Sequence, residues 1–328
     1  MSLLPSVYTV ESVTKGHPDR VCDQIADHIL HEITSRDPGA RVAVEVFGCK
    51  GVVTIGGEVT TSARVDYEAL AREVLEGVGY DPVEFRLHMN QQSPQISAAV
   101  SEGGAGDQGI MYGYATADTA SHLPLGVDLA RGLTDRLETL RESGELPWLK
   151  SDGKSQVTIR DGVPEVIVVS TQHDERVGLE EVRTTLTDQL VSPLCVSLRG
   201  ATSLSRGDEA ILPRVLINPA GAWSIGGFHA DSGLTGRKLA VDGYGGILPG
   251  GGGSTHGKDN SKVDRSATHK AREVAVDLVR RGLARECLIS VAYAIGVDEP
   301  VMLHAINEGR QDITHLLDPN IFLASRLR

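Results

Sequence analysis

A repeated switch in the spacing of apolar residues, from a helical period to strict alternation, is the strongest constraint on the fold. Residues 20–36 predict an amphipathic helix, whose apolar positions are Val21, Ile25, Ile29, Leu30 and Ile33. The stretches 41–47 and 52–60 then alternate like the two strands of a hairpin, and residues 67–78 predict a second helix. Hairpins that alternate with helices, without regular βαβ crossovers, favour an α+β fold with helices on one face of mainly antiparallel or mixed sheets.

The same two patterns continue through the rest of the chain. They predict helices at 128–143, 179–190 and 267–281, and strands at 156–160, 163–170, 287–295 and 302–306. Residues 214–225 are predicted to form a strand and a turn, with the turn at 218–221. Residues 91–109 lack apolar periodicity and are rich in Gln, Ser and Gly, which predicts a linker or lid. A length of 328 residues suits modules of about 100 to 150 residues. We therefore expect an N-terminal domain at 1–100, a central domain at 101–225 and a C-terminal domain at 226–328, each of which can be discontinuous in space.

The composition argues against several classes of function. The formal net charge is -12, from 44 acidic and 32 basic residues, so the overall field repels nucleic acids and anionic membranes. Aromatic residues make up 4% of the chain, which is too few for a platform that stacks single-stranded bases. The four cysteines stand far apart, and the N-terminal residues do not have the pattern of a secretory signal. We expect a cytoplasmic protein with no nucleic-acid or membrane partner.

The glycine-rich stretch 250–259 indicates phosphate chemistry. From Gly252 it follows the P-loop pattern G-x4-G-K-[ST] except at the last position, where Asp259 replaces the hydroxyl that would reach magnesium. Glycine backbone N–H groups beside Lys258 still suit a phosphate chain, and the alternative is a flexible surface loop. Three further cations lie nearby in the sequence, at Arg237, Lys238 and Lys262. Such a mixture suits a polyphosphate, and the alternative is a solvated basic face.

The start of the first helix carries a second candidate feature. Pro18 holds His17 and Asp19 at the helix N-terminus, where they offer a donor and a hard oxygen ligand, and Asp264 is a second candidate metal ligand. The alternatives are a simple helix cap or the His-Pro-Asp tripeptide of J-domain co-chaperones, although strands follow here instead of an all-helical setting. Further carboxylates stand within strands or beside glycine, at Glu45, Glu58, Asp107, Asp152 and Asp231. Each is either a ligand or a surface charge.

Together these motifs resemble the S-adenosylmethionine synthetase family along most of the chain. The ordered matches include Glu11-Ser12-Val13, Gly16-His17-Pro18-Asp19, Gly56-Gly57-Glu58, Gln92-Ser93-Pro94, Gly104 to Gly109, Lys154-Ser155-Gln156-Val157, Ser170-Thr171-Gln172-His173, Gly233 to Lys238 and Lys258 to Ser266. So many matches in one order are highly specific, whereas any single motif is weak. The resemblance implies a subunit of three similar α+β domains around a pseudo-threefold axis. It also implies a homodimer or homotetramer with active sites at the subunit interface.

The resemblance further implies an activity and a role for each matched residue. The expected enzyme is a methionine adenosyltransferase that uses ATP and L-methionine with K⁺ and a pair of Mg²⁺ ions per site. The implied catalytic residues are His17, Lys154, Arg237, Lys238 and Lys258. The implied ATP contacts are these residues with Asp152, Trp223, Asp231 and Ser254, and the implied methionine contacts are Glu58, Gln92, Asp107, Asp231 and Lys262. The implied metal ligands are Asp19 and Asp264 for magnesium and Glu45 for potassium.

The implied reaction needs orientation and charge more than a general base. A neutral thioether sulfur attacks C5′ of ATP, so no proton has to leave the nucleophile. Catalysis then depends on positioning and on neutralising the departing triphosphate, which the family resemblance expects to be cleaved to phosphate and pyrophosphate.

The chain departs from the family's usual pattern at several places. Arg20 replaces a lysine, Ala222 replaces an arginine, and Ser254-Thr255-His256 replaces Ala-Phe-Ser in the glycine-rich loop. The lid segment 92–103 is shorter than usual, as is the C-terminus, so the chain resembles a compact member. These departures leave two alternatives open: a catalytically weak homologue that acts as a binding or regulatory subunit, and an enzyme with an altered alkyl donor or nucleotide.

Overall fold

The computed structural model describes residues 2–91, 103–194 and 213–328. Its helices are Pro18–Arg36 (α1), Tyr67–Gly77 (α2), Leu125–Glu142 (α3), Leu179–Leu186 (α4), Leu239–Asp242 (α5) and Val263–Arg280 (α6). Its strands are Val7–Val13 (β1), Arg41–Cys49 (β2), Val52–Thr60 (β3), Glu84–Asn90 (β4), Gly109–Thr116 (β5), Leu149–Arg160 (β6), Val163–His173 (β7), Arg214–Ile217 (β8), Gly233–Leu234 (β9), Glu286–Tyr293 (β10) and Met302–Asn307 (β11). Within these ranges, no helix has the length and apolar character needed to cross a membrane.

Each sheet is built on a hairpin that the sequence predicts. Strands β2 and β3 pair antiparallel, from Arg41 opposite Thr60 to Cys49 opposite Val52, in a first sheet of order β4-β3-β2-β9. Strands β6 and β7 form the centre of a second sheet of order β1-β6-β7-β8, and β10 is central in a third of order β11-β10-β5. The pairs β3–β4 and β7–β8 are parallel. Helices pack against all three sheets, so the predicted α+β class is confirmed.

Helix α1 begins close to the predicted residue because His17 caps it. The Nδ1 atom of His17 accepts a hydrogen bond from the Asp19 N–H at 3.1 Å, and Pro18 occupies the first turn, where an N–H is not needed. The apolar face predicted for residues 20–36 is buried in one core with Val44 of β2. The first turn of α1, which carries two candidate site residues, is thereby fixed against the first sheet.

Helix α6 lies close to the third sheet because a glycine faces it. A Cβ atom on Gly113 of β5 would lie 2.1 Å from the backbone carbonyl carbon of Ala271, so any larger residue would push the helix away. Small side chains continue this contact at Ala267 and Ala275. The close packing fixes the first turn of α6, where Asp264 is found.

Each sheet is completed at its edge by a strand from another third of the chain. The strand β1 pairs with β6, β5 pairs with β10, and β9 pairs with β2. The sequence analysis did not predict β1, β4 or β5. Strand β5 contains two glycines, β4 is mostly exposed, and β1 mixes polar and apolar residues without strict alternation. Their pairing therefore depends on contacts that are distant in sequence.

One predicted turn is confirmed, and one predicted helix changes type near its end. The strand β8 ends at Ile217, before the turn predicted at 218–221, where Asn218 takes a φ of 42°, its Oδ1 atom accepts the Thr171 N–H at 2.8 Å and its carbonyl accepts the Gly221 N–H at 3.0 Å. The helix predicted at 179–190 is α-helical only to Leu186 and continues as a π-helical turn. The predicted lid at 92–103 lies outside the described residues, apart from Gly103.

Candidate active site

His17 is a buried and uncharged hydrogen-bond donor. Burial, together with the positive charges of Lys238 and Lys154, lowers its pKa to about 3, so the ring is neutral at ordinary pH. Because Nδ1 accepts the Asp19 N–H, the remaining ring proton must be on Nε2. The Nε2–H group of His17 can therefore donate a hydrogen bond to a ligand while the ring is uncharged.

Asp19 holds two predicted triphosphate cations beside His17. Its Oδ1 atom lies 2.7 Å from Arg237 Nε, and its Oδ2 atom lies 2.5 Å from Lys238 Nζ. The Leu234 N–H also donates to Oδ1 at 3.0 Å. Burial by itself would raise the pKa of Asp19, but the bonds from Lys238 and the Leu234 N–H outweigh it, and the pKa is lowered. Asp19 is therefore an ionised carboxylate that pairs with both cations, so the three side chains together keep one positive charge.

Asp152 has a buried carboxylate oxygen that lacks a partner. Its Oδ2 atom accepts the Gly227 N–H at 2.9 Å, whereas Oδ1 has no hydrogen-bond partner in the described part of the chain. Burial raises the pKa of Asp152 to about 6. A buried acceptor of this kind is costly unless a ligand donor reaches it. Lys154 and Asp231 interact electrostatically with both His17 and Asp152, which joins these residues into one group.

Trp223 lies on the segment that leads into this group. Its backbone carbonyl accepts the His173 N–H at 2.9 Å, and its indole N–H donates to the Ile225 carbonyl at 2.6 Å. The residue is partly exposed. Gly227, four residues after Trp223, donates its N–H to Asp152, so the predicted adenine contact lies on a segment that is attached to Asp152.

A second group of predicted residues gathers around Lys258. The Lys258 Nζ atom lies 2.9 Å from Asp264 Oδ2, and the Lys258 backbone forms a bridge to Ala43 of β2. Glu45 on β2 and Glu58 on β3 are exposed. Although the Glu45 side chain reaches solvent, neighbouring groups partly desolvate its carboxylate, which raises its pKa; the Lys258 charge opposes this rise, and the charge of Glu58 adds to it. Two carboxylates thus share the region that Lys258 enters.

The glycine-rich loop places Lys258 between α6 and the first sheet. A Cβ atom on Gly253 would lie 2.1 Å from Asp264 Cγ, so the loop touches the carboxylate directly. Gly257 has a φ of 67°, and its carbonyl accepts the Val44 N–H at 2.9 Å. Both contacts require glycine, because a side chain at either position would displace the loop.

The other predicted contacts are distributed around these groups. Ser254 lies in the glycine-rich loop, where its Oγ atom accepts a backbone N–H of the same loop at 3.1 Å. Lys262 begins α6, and its Nζ atom lies 3.4 Å from Asp259 Oδ2. Asp107 is exposed. Gln92 lies outside the described residues.

Within one chain, the gathered residues thus form two groups. We call the first the His17 group: His17, Asp19, Asp152, Lys154, Asp231, Arg237 and Lys238. We call the second the Lys258 group: Glu45, Glu58, Lys258 and Asp264. A cleft of about 840 Å³ lies between residues such as Tyr80, Ile225 and Phe228. It adjoins the His17 group, because Gly227 in its wall donates to Asp152, but no predicted site residue of the described ranges lines it. The chemistry favours the two groups over this cleft, because the cations and carboxylates are concentrated there.

The structure also gathers charged residues that the sequence analysis did not assign. The Nδ1 atom of His256 lies 2.6 Å from Asp27 Oδ2, and Arg20 NH1 lies 3.1 Å from Asp23 Oδ2. Arg20 and His256 both differ from the residues that are usual in the family. That difference was the signal in the sequence that could have pointed to them. The two residues are 236 positions apart in sequence, and only the fold shows that Arg20 NH1 lies 3.3 Å from His256 Nε2.

Comparisons with known proteins agree along most of the chain. Family models described as S-adenosylmethionine synthetase match in three parts: the N-terminal domain at residues 5–103, the central domain at 102–223 and the C-terminal domain at 225–318. S-adenosylmethionine synthase 1 of Rhodospirillum rubrum is 46% identical over 324 residues, which cover 93% of this chain and 82% of that protein. S-adenosylmethionine synthase 1 of Rhodopseudomonas palustris is 43% identical over the same shares of both chains.

Proposed function

The chain belongs to the S-adenosylmethionine synthetase family, and we propose that it joins ATP and L-methionine into S-adenosylmethionine with the residues of the His17 and Lys258 groups. The observation that carries this assignment is the neutral, buried His17 between Lys154 and Lys238. A donor of this kind, next to cations, suits an oxygen that gains negative charge as a bond breaks.

The reaction is a displacement in which the methionine sulfur attacks C5′ of ATP and the triphosphate leaves. The C5′–O bond breaks with its electron pair on the departing oxygen, and the sulfur becomes a sulfonium. The Nε2–H group of His17 donates a hydrogen bond to that oxygen. Because the ring is neutral, it does not need to lose a proton. Arg237, Lys238 and Lys258 neutralise the phosphate oxygens, and Lys154 adds charge beside His17. The bound triphosphate is then hydrolysed to phosphate and pyrophosphate before release.

Asp19 and Asp264 are the proposed ligands of two Mg²⁺ ions. Carboxylate oxygens are the donors that magnesium prefers, and each of these carboxylates is ion-paired with a lysine assigned to the triphosphate. When a magnesium nucleotide binds, Asp19 and Asp264 would hold the metal ions, and Lys238 and Lys258, released from these ion pairs, would bind the phosphates. Bound magnesium supplies charge neutralisation of the leaving triphosphate. Glu45, whose charge interacts with that of Glu58, is the proposed K⁺ ligand.

Asp152 and Trp223 are the proposed contacts to the nucleoside. The unpartnered Oδ1 of Asp152 suits a ribose hydroxyl, which would donate the missing hydrogen bond. The partly exposed ring of Trp223 offers a flat apolar face for adenine. Methionine would lie among Glu58, Gln92, Asp107, Asp231 and Lys262, where carboxylates favour its ammonium group and the developing sulfonium.

We propose a homodimer or homotetramer in which each active site combines the His17 group of one subunit with the Lys258 group of another. The first sheet supports this, because α1 packs on one face while Glu45 and Phe47 are exposed on the other. Phe47 pairs with Leu234 across the β2–β9 edge, and these side chains are 44% and 39% exposed. An exposed apolar patch beside candidate ligands is typical of an interaction surface. We also propose a cytoplasmic location.

The direct test is an assay of the purified chain with ATP, methionine, Mg²⁺ and K⁺. We expect S-adenosylmethionine, phosphate and pyrophosphate in equal amounts, and loss of product when Mg²⁺ is chelated. Absence of S-adenosylmethionine with all components supplied would contradict the proposal and favour a binding or regulatory subunit.

A further inference from the structure

Charged side chains form a network that joins the two groups of the candidate site. Its members are Arg20, Asp23 and Asp27 on α1, Asp242 at the end of α5, and His256 in the glycine-rich loop. The Nδ1 atom of His256 lies 2.6 Å from Asp27 Oδ2, and its Nε2 atom lies 3.3 Å from Asp242 Oδ2 and 3.9 Å from Asp23 Oδ2. Arg20 also contacts Asp23 and Asp242. His256 is therefore a cross-link among three segments of the chain.

We propose that His256 is a positioning residue, which as a buried cation fastens the glycine-rich loop to α1 and α5 and so holds in place the backbone beside Lys258 and the backbone beside Lys238. The inference rests on the proposed function, because it takes these lysines as triphosphate contacts in the two active sites to which one chain contributes.

The network is attached to backbone segments that lie next to Lys238 and next to Lys258. Asp242 ends α5, the short helix that directly follows Lys238. The Gly257 N–H, one residue before Lys258, donates to Asp27 Oδ1 at 2.9 Å. A similar bond joins the loop before Arg237 to α1, where the Gly236 N–H donates to Asp23 Oδ1 at 2.8 Å. A change in the network would therefore move the backbone next to both lysines.

When His256 is protonated, the cations equal the carboxylates in number, provided that Arg265, which pairs with Asp27, is counted with the network. Three carboxylates face His256, and the other cation within the network is Arg20. Asp27 also has Arg265 NH1 at 3.3 Å, while His269 of α6 and Arg131 of α3 interact electrostatically with members of the network. Burial alone would lower the pKa of His256, but its bonds to Asp242 and Asp27 and the charge of Asp23 raise it to about 10.

The heavy-atom positions alone fit two protonation states. The Nε2 atom of His256 lies 3.3 Å from Arg20 NH1 and 3.3 Å from Asp242 Oδ2. A neutral ring would accept from Arg20, whereas a charged ring would donate toward Asp242. The charged ring is favoured because three carboxylates surround it. It also places a positive charge 3.3 Å from Asp242 Oδ2, a buried oxygen that has no hydrogen-bond partner among the described residues.

The same side chains do not form a metal site. Asp23, Asp242 and His256 each offer one ligand atom, and these atoms lie within 4.8 Å of one another. However, the guanidinium of Arg20 contacts all three, so a cation already occupies the position that a metal would take. The guanidinium of Arg20 is the internal cation of the network, and the role of the network is structural.

The kinetic test compares His256→Gln, which removes the charge, with His256→Lys, which keeps one. We expect His256→Gln to lower kcat/KM for ATP by about 10- to 100-fold, because a displacement of about 1 Å at a reacting site has an effect of this size. His256→Lys should recover part of the loss. His28→Gln is the matched control, since His28 lies on α1 and pairs with Glu73 at 3.0 Å away from the network. Unchanged ATP kinetics in His256→Gln, or no recovery in His256→Lys, would overturn the proposal.

A second readout needs no turnover. A histidine whose folded pKa is about 10, above its ordinary 6.5, contributes stability that is complete below about pH 6.5 and is lost as the pH rises toward 10. We expect the unsubstituted chain to have a higher Tm than His256→Gln. The difference in Tm should be largest near pH 6.5 and smallest near pH 10. A Tm difference that stays constant over this range would overturn the proposal. If the unsubstituted chain forms no S-adenosylmethionine, the proposed function fails, and this Tm series still tests the network.

Discussion

Substitution of Gly253 by alanine gives the sharpest test of how the glycine-rich loop serves the candidate site. A Cβ atom at this position would lie 2.1 Å from Asp264 Cγ and 2.3 Å from both carboxylate oxygens. Non-bonded carbon atoms are normally separated by about 3.5 Å or more, so the loop or the carboxylate must shift by more than about 1 Å. Asp264 is a proposed magnesium ligand and the partner of Lys258, so both would be displaced.

A shift of that size at a reacting centre lowers the rate by about 100-fold. We therefore expect Gly253→Ala to lower kcat for S-adenosylmethionine formation by about two orders of magnitude at saturating ATP, methionine and Mg²⁺. Local overpacking should destabilise the fold by about 1 to 3 kcal/mol, which thermal unfolding would measure. The loss of rate should therefore persist well below the Tm of the variant.

Gly252→Ala is the matched control for this experiment. A Cβ atom on Gly252 would meet nothing within 4 Å, although the residue is the direct neighbour in the same loop. Both variants reduce the flexibility of the unfolded chain in the same way, so their difference isolates the contact with Asp264. The reasoning would be refuted if Gly253→Ala kept a kcat close to that of the unsubstituted chain, or if Gly252→Ala lost as much.

Three further predictions test other parts of the site. Lys258→Ala should lower turnover by about 100- to 1,000-fold with little change in Tm, and an unchanged turnover would exclude its phosphate role. Because the folded pKa of Asp152 is raised to about 6, kcat/KM for ATP should fall as the pH drops below 6, and Asp152→Asn should lack this acidic limb. The predicted lid at 92–103 is shorter than is usual in the family, so ethionine should be a substrate, and methionine should be favoured by less than the roughly 1 to 3 kcal/mol that one methylene gives in a closed pocket. A ratio of kcat/KM values at or above that of a relative with a full-length lid would contradict this.

The local elements and the family were accessible from the sequence. The apolar period of residues 20–36 predicted α1, and the hairpin at 41–60 was predicted nearly to its ends, because backbone hydrogen bonds in these elements join residues that are close in sequence. The order of the glycine-rich, His-Pro-Asp and lysine motifs indicated the family, which the comparisons confirm.

The roles given to single residues remain predictions, but their distribution in space was not readable from the sequence. Nothing in the spacing of Lys238 and Lys258 indicates that each pairs with a different carboxylate, Asp19 or Asp264. The cap that fixes the His17 tautomer was likewise visible only once the ring and the Asp19 N–H were placed 3.1 Å apart.

The tertiary structure decided how the three sheets are completed and how distant charges meet. Strands β1, β5 and β9 each join a sheet whose hairpin lies in another third of the chain. Arg20 and His256 are brought to 3.3 Å of each other by the packing of the glycine-rich loop on α1. Periodicity reports which face of a segment is buried, but it does not report against which other segment. That choice is made by the shape and charge of surfaces that come together when the whole chain is packed.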